Sequence, residues 1–412
     1  MYFCLFLHVY QPSTQFPEMV KRAVETSYRP ILALLKKYPQ AKITLNICAS
    51  LTELLADLGY QDVLQQLEEL AKKGQIEFVG SAKYHPLLPK IPKNEILRQI
   101  KLNEETNRRL IGQVWQPQGF FPPELAFSND VAKVLVKSGY QWVLLDESAH
   151  PQALVAEKRT VEEEVPVHEK LEIGQKTFID SKTKMGILFR DREGSAEIAF
   201  ERIETVEEFL DSIPLGRFSL PQQYSVLAMD GETFGLHHPK LLSFLEGLFQ
   251  KNELEYQLIK ASDIFKLNYP KKKVELRDST WGRTIEEEKG NRIFPRWNNP
   301  QNSIHRLQWE LLNLALQVAS RPEGVPRLRG GFGGQALQAR ELLDQGLQSD
   351  QFWWASHNPC WHPPMIEGGA RLLLEAIELC EASKEDKEKA KILYKKINSE
   401  GLELYGKKIV GC

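Results

Sequence analysis

The sequence predicts an α/β fold: strand–helix units repeated around a parallel sheet or barrel to about residue 270, then a mainly helical unit over 271–412. Three observations lead there. The chain opens on a continuous apolar run, Tyr2 to Leu7, ending in His8, the pattern of a strand buried on both faces. Short apolar runs then alternate with amphipathic segments of helix length, as βαβ units do. After Pro270 and the lysines Lys271, Lys272 and Lys273 the strand-like runs stop.

Each element follows from its own pattern. Val20, Ala23, Ile31, Leu34 and Leu35 recur at helical spacing and predict a helix over 18–37. A second strand is expected at 43–45, helices at 50–58 and 61–73, and a third strand at 76–79. The alternation continues with a helix at 93–111, a strand at 118–121, a helix at 129–138 and a strand at 141–145. Between 147 and 204 the rhythm loosens, leaving strand-like pieces at 176–180 and 185–189. A helix at 205–212, a strand at 224–229, a helix at 239–251 and a short strand near 256–259 restore it. The last third reads as helices at 302–320, 334–346, 368–382 and 384–399.

Composition narrows the function classes. With 53 Lys and Arg against 55 Asp and Glu, the 412-residue chain carries a formal charge of −2 and is not a generally basic, polyanion-binding protein. Cys4, Cys48, Cys360, Cys380 and Cys412 form no C-x-x-C pair, so neither a disulfide framework nor a cysteine zinc site is expected. The opening apolar run is too short for a membrane span or a signal core, and the expected compartment is the cytoplasm. The surplus is aromatic: eight Trp, with Trp353, Trp354 and Trp361 close together.

Four polar segments fall where strands end, and the carboxyl ends of parallel strands are where α/β folds build sites. The first is His8, Tyr10, Gln11 and Pro12 after the first strand. A histidine there serves either as a structural hydrogen-bond partner or, with Tyr10 and Gln11, as a donor to sugar hydroxyls. In the second, Glu77 sits inside an apolar strand, costly unless paired or facing a cavity. It either ties neighbouring strands or serves the site, with Tyr84, His85 and Pro86 following. In the third, Pro122 and Pro123 end a strand and present Glu124. In the fourth, Asp230, Gly231 and Glu232 follow a buried strand, with His237 and His238 beyond. These histidines lack the H-x-x-x-H or H-E-x-x-H spacing of a metal site. There is no G-x-S-x-G, and the Gly330–Gly334 run lacks the Lys-Ser/Thr of a phosphate loop and reads as a connector. Two carboxylates on different strands, with aromatic company, are the machinery of glycoside chemistry.

Together the segments resemble the family 57 glycoside hydrolases. His8-Val9-Tyr10-Gln11-Pro12 matches that family's His-x-His-Gln-Pro opening, with Tyr10 where the second His stands. Gly74-Gln75-Ile76-Glu77 matches its Gly-Gln-x-Glu strand, Phe121-Pro122-Pro123-Glu124 its nucleophile turn, and Asp230-Gly231-Glu232 its general-acid segment. Ser349, Asp350, Trp353 and Trp354 resemble its last conserved segment more weakly. The resemblance implies an incomplete (β/α)7 TIM-like barrel over 1–270, followed by a helical bundle over 271–412 that closes over the cleft. It implies retaining chemistry on α-linked glucans, with Glu124 as nucleophile, Asp230 as general acid/base and no metal or cofactor. His8, Tyr10, Gln11, Glu77, His85, Glu232, His237 or His238, and Asp350 are then the expected substrate contacts. Trp281, Trp353, Trp354 and Trp361 offer faces for glucose rings. Water as acceptor gives an amylase; a sugar hydroxyl gives a 4-α-glucanotransferase or branching-type enzyme. A metal-dependent deacetylase and a non-catalytic glucan-binding protein are the alternatives from other classes. The expected partner is an uncharged oligo- or polysaccharide, not nucleic acid or membrane.

Overall fold

The computed structural model describes residues 1–153, 172–212, 223–283, 287, 292–320 and 333–409. Its first compact unit comprises Met1–Gln11, Gln15–Lys83 and Leu88–Trp281; the second comprises Pro12–Thr14, Tyr84–Leu87 and Gly282–Cys412. No helix among the described residues is long and apolar enough to cross a membrane.

The first unit is an incomplete (β/α)7 barrel. Its strands are β1 (Tyr2–Val9), β2 (Ile43–Ile47), β3 (Ile76–Val79), β4 (Gly119–Phe120), β5 (Trp142–Asp146), β6 (Thr177–Asp180), β7 (Gly186–Arg190), β8 (Tyr224–Asp230), β9 (Gln257–Leu258) and β10 (Lys271–Val274). Parallel pairing runs β8–β1–β2–β3 and β4–β5–β7. Two junctions join these arcs. Gly80 N donates to Gly119 O and Phe121 N to Gly80 O, both at 2.9 Å, bringing β3 to β4. Asp191 N donates to Val226 O at 2.9 Å, bringing β7 to β8.

Strand alternation decides which side chains face the barrel axis. Cys4 and Phe6 of β1 and Val226 and Ala228 of β8 fill the interior with Phe121, Trp142 and Leu144. Phe3, Leu5, Leu7 and Val9 face the opposite way and pack under the helices. This two-sided burial is what the unbroken apolar run of β1 encodes. The helix over 17–37 contains a π-helical turn, Val24–Tyr28, that shifts the facing of Ser27 and Tyr28.

Three features depart from expectation. The Lys271–Val274 segment, read as a linker, is a strand parallel to β6. Its Lys271 and Lys273 side chains are exposed while Val274 is buried, the pattern of a sheet edge, so the unit extends to Trp281 and not 270. The loosened region holds a helix, Arg192–Ala199, whose N-terminus is capped by Asp191. Cys360 is disulfide-bonded, correcting the expectation drawn from cysteine spacing, while Cys4, Cys48 and Cys380 are free thiols.

The second unit carries helices at Ser303–Ser320, Gly333–Gly346, Asp350–Trp353, Pro363–Leu379 and Lys384–Tyr405, close to the expected set. Of the glycine run, 330–332 lie outside the described residues, and Gly333 and Gly334 begin a helix.

Candidate active site

Register places the polar residues in rows across the barrel interior. His8 pairs with Asp230 on one side and Asn46 on the other, and Asn46 pairs with Val79. The row toward the amino ends holds Phe6, Ala228, Thr44 and Glu77. Two residues along a strand are about 6.6 Å, so Glu77 lies a full layer from the Asp230 row. There Glu77 Oε2 accepts from Thr44 Oγ1 at 3.2 Å and from Ser262 N at 3.1 Å. Half-buried Glu77 thus ties β3 to β2 and to the helix Ala261–Ile264, as in the strand-tying alternative.

His8 is buried, and its Nδ1 lies 2.7 Å from Asn46 Oδ1. The Asn46 amide donates to Val79 O at 3.3 Å, which leaves Oδ1 as the acceptor and puts the imidazole proton on Nδ1. The ring stacks on Phe121 at 4.5 Å and on Tyr10 at 6.2 Å. Burial holds the imidazole below its ordinary pKa, against the pull of the Asp230 charge and Asn46, so it is neutral near pH 7. Asp230 moves oppositely: burial raises its carboxyl above the usual range, while His8 and Arg190 draw it back.

Glu124 stands beyond Pro122 and Pro123 in a left-handed conformation, φ 61° and ψ 18°, and Leu125 follows at φ 45°. Such geometry costs non-glycine residues on the order of 1–3 kcal/mol and persists only where the surroundings enforce it. Here the strand-like segment 279–281 enforces it. Phe127 and Ser279 exchange backbone hydrogen bonds at 2.9 and 3.2 Å. Thr280 Oγ1 donates to Glu124 O at 2.7 Å, Trp281 N to the same oxygen at 3.3 Å, and Trp281 Nε1 to Glu124 Oε2 at 2.9 Å. The indole lies edge-on to His8 at 6.3 Å and to Phe121 at 5.7 Å. Trp281 therefore reaches both the Glu124 and the His8–Asp230 sides of the barrel mouth.

Four residues with a part in the site escaped the sequence reading. Arg190, ending β7, places its guanidinium 5.6 Å from the Trp281 ring centre, and its Nε donates to Ala228 O at 2.8 Å. Asp146, ending β5, is buried between Arg192 at 2.6 Å and Arg190 at 3.7 Å. Burial would raise its carboxyl, but the Arg192 and Arg190 charges win and hold it at about 2. Asn46 and Tyr28 are the others. The signal that picked out Glu124 and Asp230, a polar residue at a strand's carboxyl end, also applies to Asp146 and Arg190.

Gln11 and Glu232 belong to one hydrogen-bonded cluster. Both are buried, and Glu232 Oε1 accepts from Tyr28 Oη, from Gln11 Nε2 at 3.3 Å and from Tyr10 N at 3.4 Å. Ser27 Oγ donates to Gly231 O at 3.0 Å. The π turn thus aims two hydroxyls at the Asp230–Glu232 segment, and these groups bind one another where substrate contacts were expected. Burial and the neighbouring Asp230 charge push the Glu232 carboxyl up to about 7. His237 is exposed, its backbone N–H bonding Glu232 O at 2.9 Å, and His238 pairs with Glu201 Oε2 at 3.0 Å.

The remaining expected contacts belong to the second unit. His85 is buried, with Nδ1 3.0 Å from Ser349 Oγ. Asp350 and Trp353 lie on a short helix, where Trp353 packs on Trp297 at 5.5 Å, and Trp354 lies 6.1 Å from the His362 ring. Trp361 is 1% exposed, packs on Tyr405 at 4.8 Å and donates Nε1 to Gly406 O at 3.0 Å. It offers no face to a sugar ring, which corrects the stacking role expected of it.

A family model described as glycosyl hydrolase family 57 matches residues 6–277, more than half of the chain. The chain belongs to glycosyl hydrolase family 57. An α-amylase of Pyrococcus horikoshii is 27% identical over 237 residues, 50% of this chain and 37% of that protein. A 4-α-glucanotransferase of Thermococcus litoralis is 29% identical over 141 residues, 34% of this chain and 21% of that protein. The chain thus matches only 21–37% of the length of these curated relatives. Among solved structures, the family 57 branching enzyme of P. horikoshii aligns with a TM-score of 0.70 at 15% identity, covering 96% of this chain and 94% of that one. The T. litoralis 4-α-glucanotransferase aligns at 0.67 with 18% identity, covering 91% and 59%. Family 57 membership accounts for the (β/α)7 barrel.

Proposed function

We propose that this family 57 chain is a retaining glycosidase acting on α-1,4-linked glucans, with Glu124 as nucleophile and Asp230 as general acid/base. The observation that carries the reading is the contrast between the two carboxyls at one barrel mouth. Glu124 is oriented by an indole N–H donor, whereas Asp230 sits where burial favours its protonated form. Glu124 attacks the anomeric carbon, the bond to the leaving sugar oxygen breaks, and Asp230 gives that oxygen its proton. Asp230 then takes a proton from the water or sugar hydroxyl that displaces Glu124. His8 and Tyr10 hold sugar hydroxyls beside the reacting carbon.

The α-glucan assignment is supported by the relatives named as α-amylase and 4-α-glucanotransferase, and by a near-neutral chain suited to an uncharged substrate. Glu124→Gln is expected to abolish turnover of maltooligosaccharides while leaving their binding in calorimetry within about threefold; near wild-type turnover overturns the nucleophile assignment. Chromatography of the wild-type products reads the acceptor: shorter oligosaccharides mean hydrolysis, longer ones transfer.

A further inference from the structure

The backbone at Glu124 and the segment that grips it point beyond a sugar-stacking role for Trp281. The 279–281 segment makes three separate contacts with Glu124, two to its carbonyl oxygen and one to its carboxylate. A ring used only as a platform needs its face open and has no need to point its N–H at the expected nucleophile. Here the N–H is committed to Glu124 Oε2, and the ring stands edge-on to Phe121 and His8. The Arg190 guanidinium, 5.6 Å from the ring centre, adds a cation contact that fixes the indole from the β7 side.

We propose that Trp281 is a positioning residue for the nucleophile, holding the Glu124 carboxylate in its attacking orientation and ionised through the Nε1–H···Oε2 hydrogen bond. The inference rests on Glu124 being the nucleophile. A hydrogen bond to the charged form of an acid favours that form, so removing the donor makes Glu124 harder to ionise. Among the described residues, the titratable and charged groups at this end of the barrel besides Glu124 include His8 of β1, Asp146 of β5, Arg190 of β7, Asp230 of β8, and Glu147, Arg192 and Glu232 just beyond those strands. Burial lowers the His8 pKa, and the Arg190 guanidinium contacts the indole.

The test uses Trp281→Phe, which keeps an aromatic face and the Arg190 contact but removes the donor, with α-maltotriosyl fluoride as substrate. Fluoride leaves with little proton assistance, so the first step reports on the nucleophile more than on Asp230. The expected result is a fall in kcat of about 10–100-fold with KM within about threefold, and an acid limb of kcat/KM moved up by about one pH unit. Thr280→Val, which loosens the grip on the Glu124 carbonyl, is expected to lower kcat in the same direction with KM unchanged. An unchanged acid limb and kcat, with KM raised, makes Trp281 a sugar platform and overturns the inference. Glu124→Ala on the same fluoride separates the two failures. If it turns over normally, the nucleophile reading itself fails; if it is dead while Trp281→Phe is normal, only the positioning role fails.

Discussion

His8 and Asp230 occupy one register position on neighbouring parallel strands, so the imidazole that stacks on Phe121 stands directly beside the expected general acid. Burial acts on both in the direction of neutrality, raising the carboxyl and lowering the imidazole. That direction suits an acid that must carry a proton before the first step and lose it during that step.

Asp230→Asn removes that proton. On maltooligosaccharides, whose leaving oxygen needs protonation, kcat/KM should fall by about 10²–10⁴-fold. On an α-glycosyl fluoride the loss in the first step should be at least tenfold smaller, because that leaving group departs unassisted. Steady-state kinetics on the two substrates give the comparison. Equal losses on both would remove Asp230 from the acid role.

Arg190 should set the alkaline limb. Its charge draws the Asp230 carboxyl down, opposing burial, so Arg190→Met removes a positive charge that favours the ionised form. The folded Asp230 pKa rises, and the alkaline limb of kcat/KM on maltooligosaccharides moves to higher pH. Asp146 keeps its closer partner Arg192 at 2.6 Å, so the strand end remains neutralised. A limb that moves to lower pH contradicts the assignment of Asp230 as the group seen there.

Glu232 couples the same segment to pH through stability. Burial and the Asp230 charge raise its carboxyl from an ordinary 4.5 to about 7. Between those values the folded chain binds more protons than the unfolded one, so this group's contribution is full below 4.5 and is lost as pH rises through 7. The shift corresponds to at most about 3 kcal/mol. Glu232→Gln should therefore flatten the dependence, so that urea midpoints at pH 5 and pH 8 lie closer together than in the wild type. An unaltered difference means that Glu232 is ionised in the folded chain throughout.

Glu77 separates a structural tie from a substrate contact. Its carboxylate caps Ser262 N and accepts from Thr44 Oγ1, one layer from the Asp230 row. Glu77→Ala should cost about 1–3 kcal/mol of stability by leaving those donors unpaired. KM for maltooligosaccharides should stay within about twofold. A selective rise in KM at unchanged stability would return Glu77 to the substrate.

These outcomes show what a one-dimensional pattern carries. β1 was legible because a strand buried on both faces must be apolar throughout, and Glu124 and Asp230 because prolines or a glycine mark where their strands end. The part of Glu77 was not, since strand membership says nothing of the layer a side chain occupies; only register with Thr44 and Phe6 does. Gln11, Glu232 and Tyr28 meet through a π turn that no periodicity announces. Arg190 and Asp146 were hidden for a different reason. The strands they end were expected at 141–145 and 185–189, but no proline or glycine follows directly to mark the strand end, as one does at Glu124 and Asp230.

Trp361 tests the limit of reading function into tryptophan clusters. Its neighbours Trp353 and Trp354 are half-buried, but Trp361 is enclosed within its own unit. A Cβ built on Gly401 would come within 2.8 Å of its ring, so the Lys384–Tyr405 helix packs against the indole too closely for any larger residue. Trp361→Ala should therefore act as a core deletion, costing about 3–5 kcal/mol through lost burial and the cavity left behind. The loss of the Nε1–H bond leaves Gly406 O without that donor and adds to the cost. Urea unfolding followed by fluorescence should show a transition lowered by that amount, with KM for maltooligosaccharides unchanged in the folded fraction. A variant that melts like the wild type but binds glucan poorly would restore Trp361 to the substrate surface.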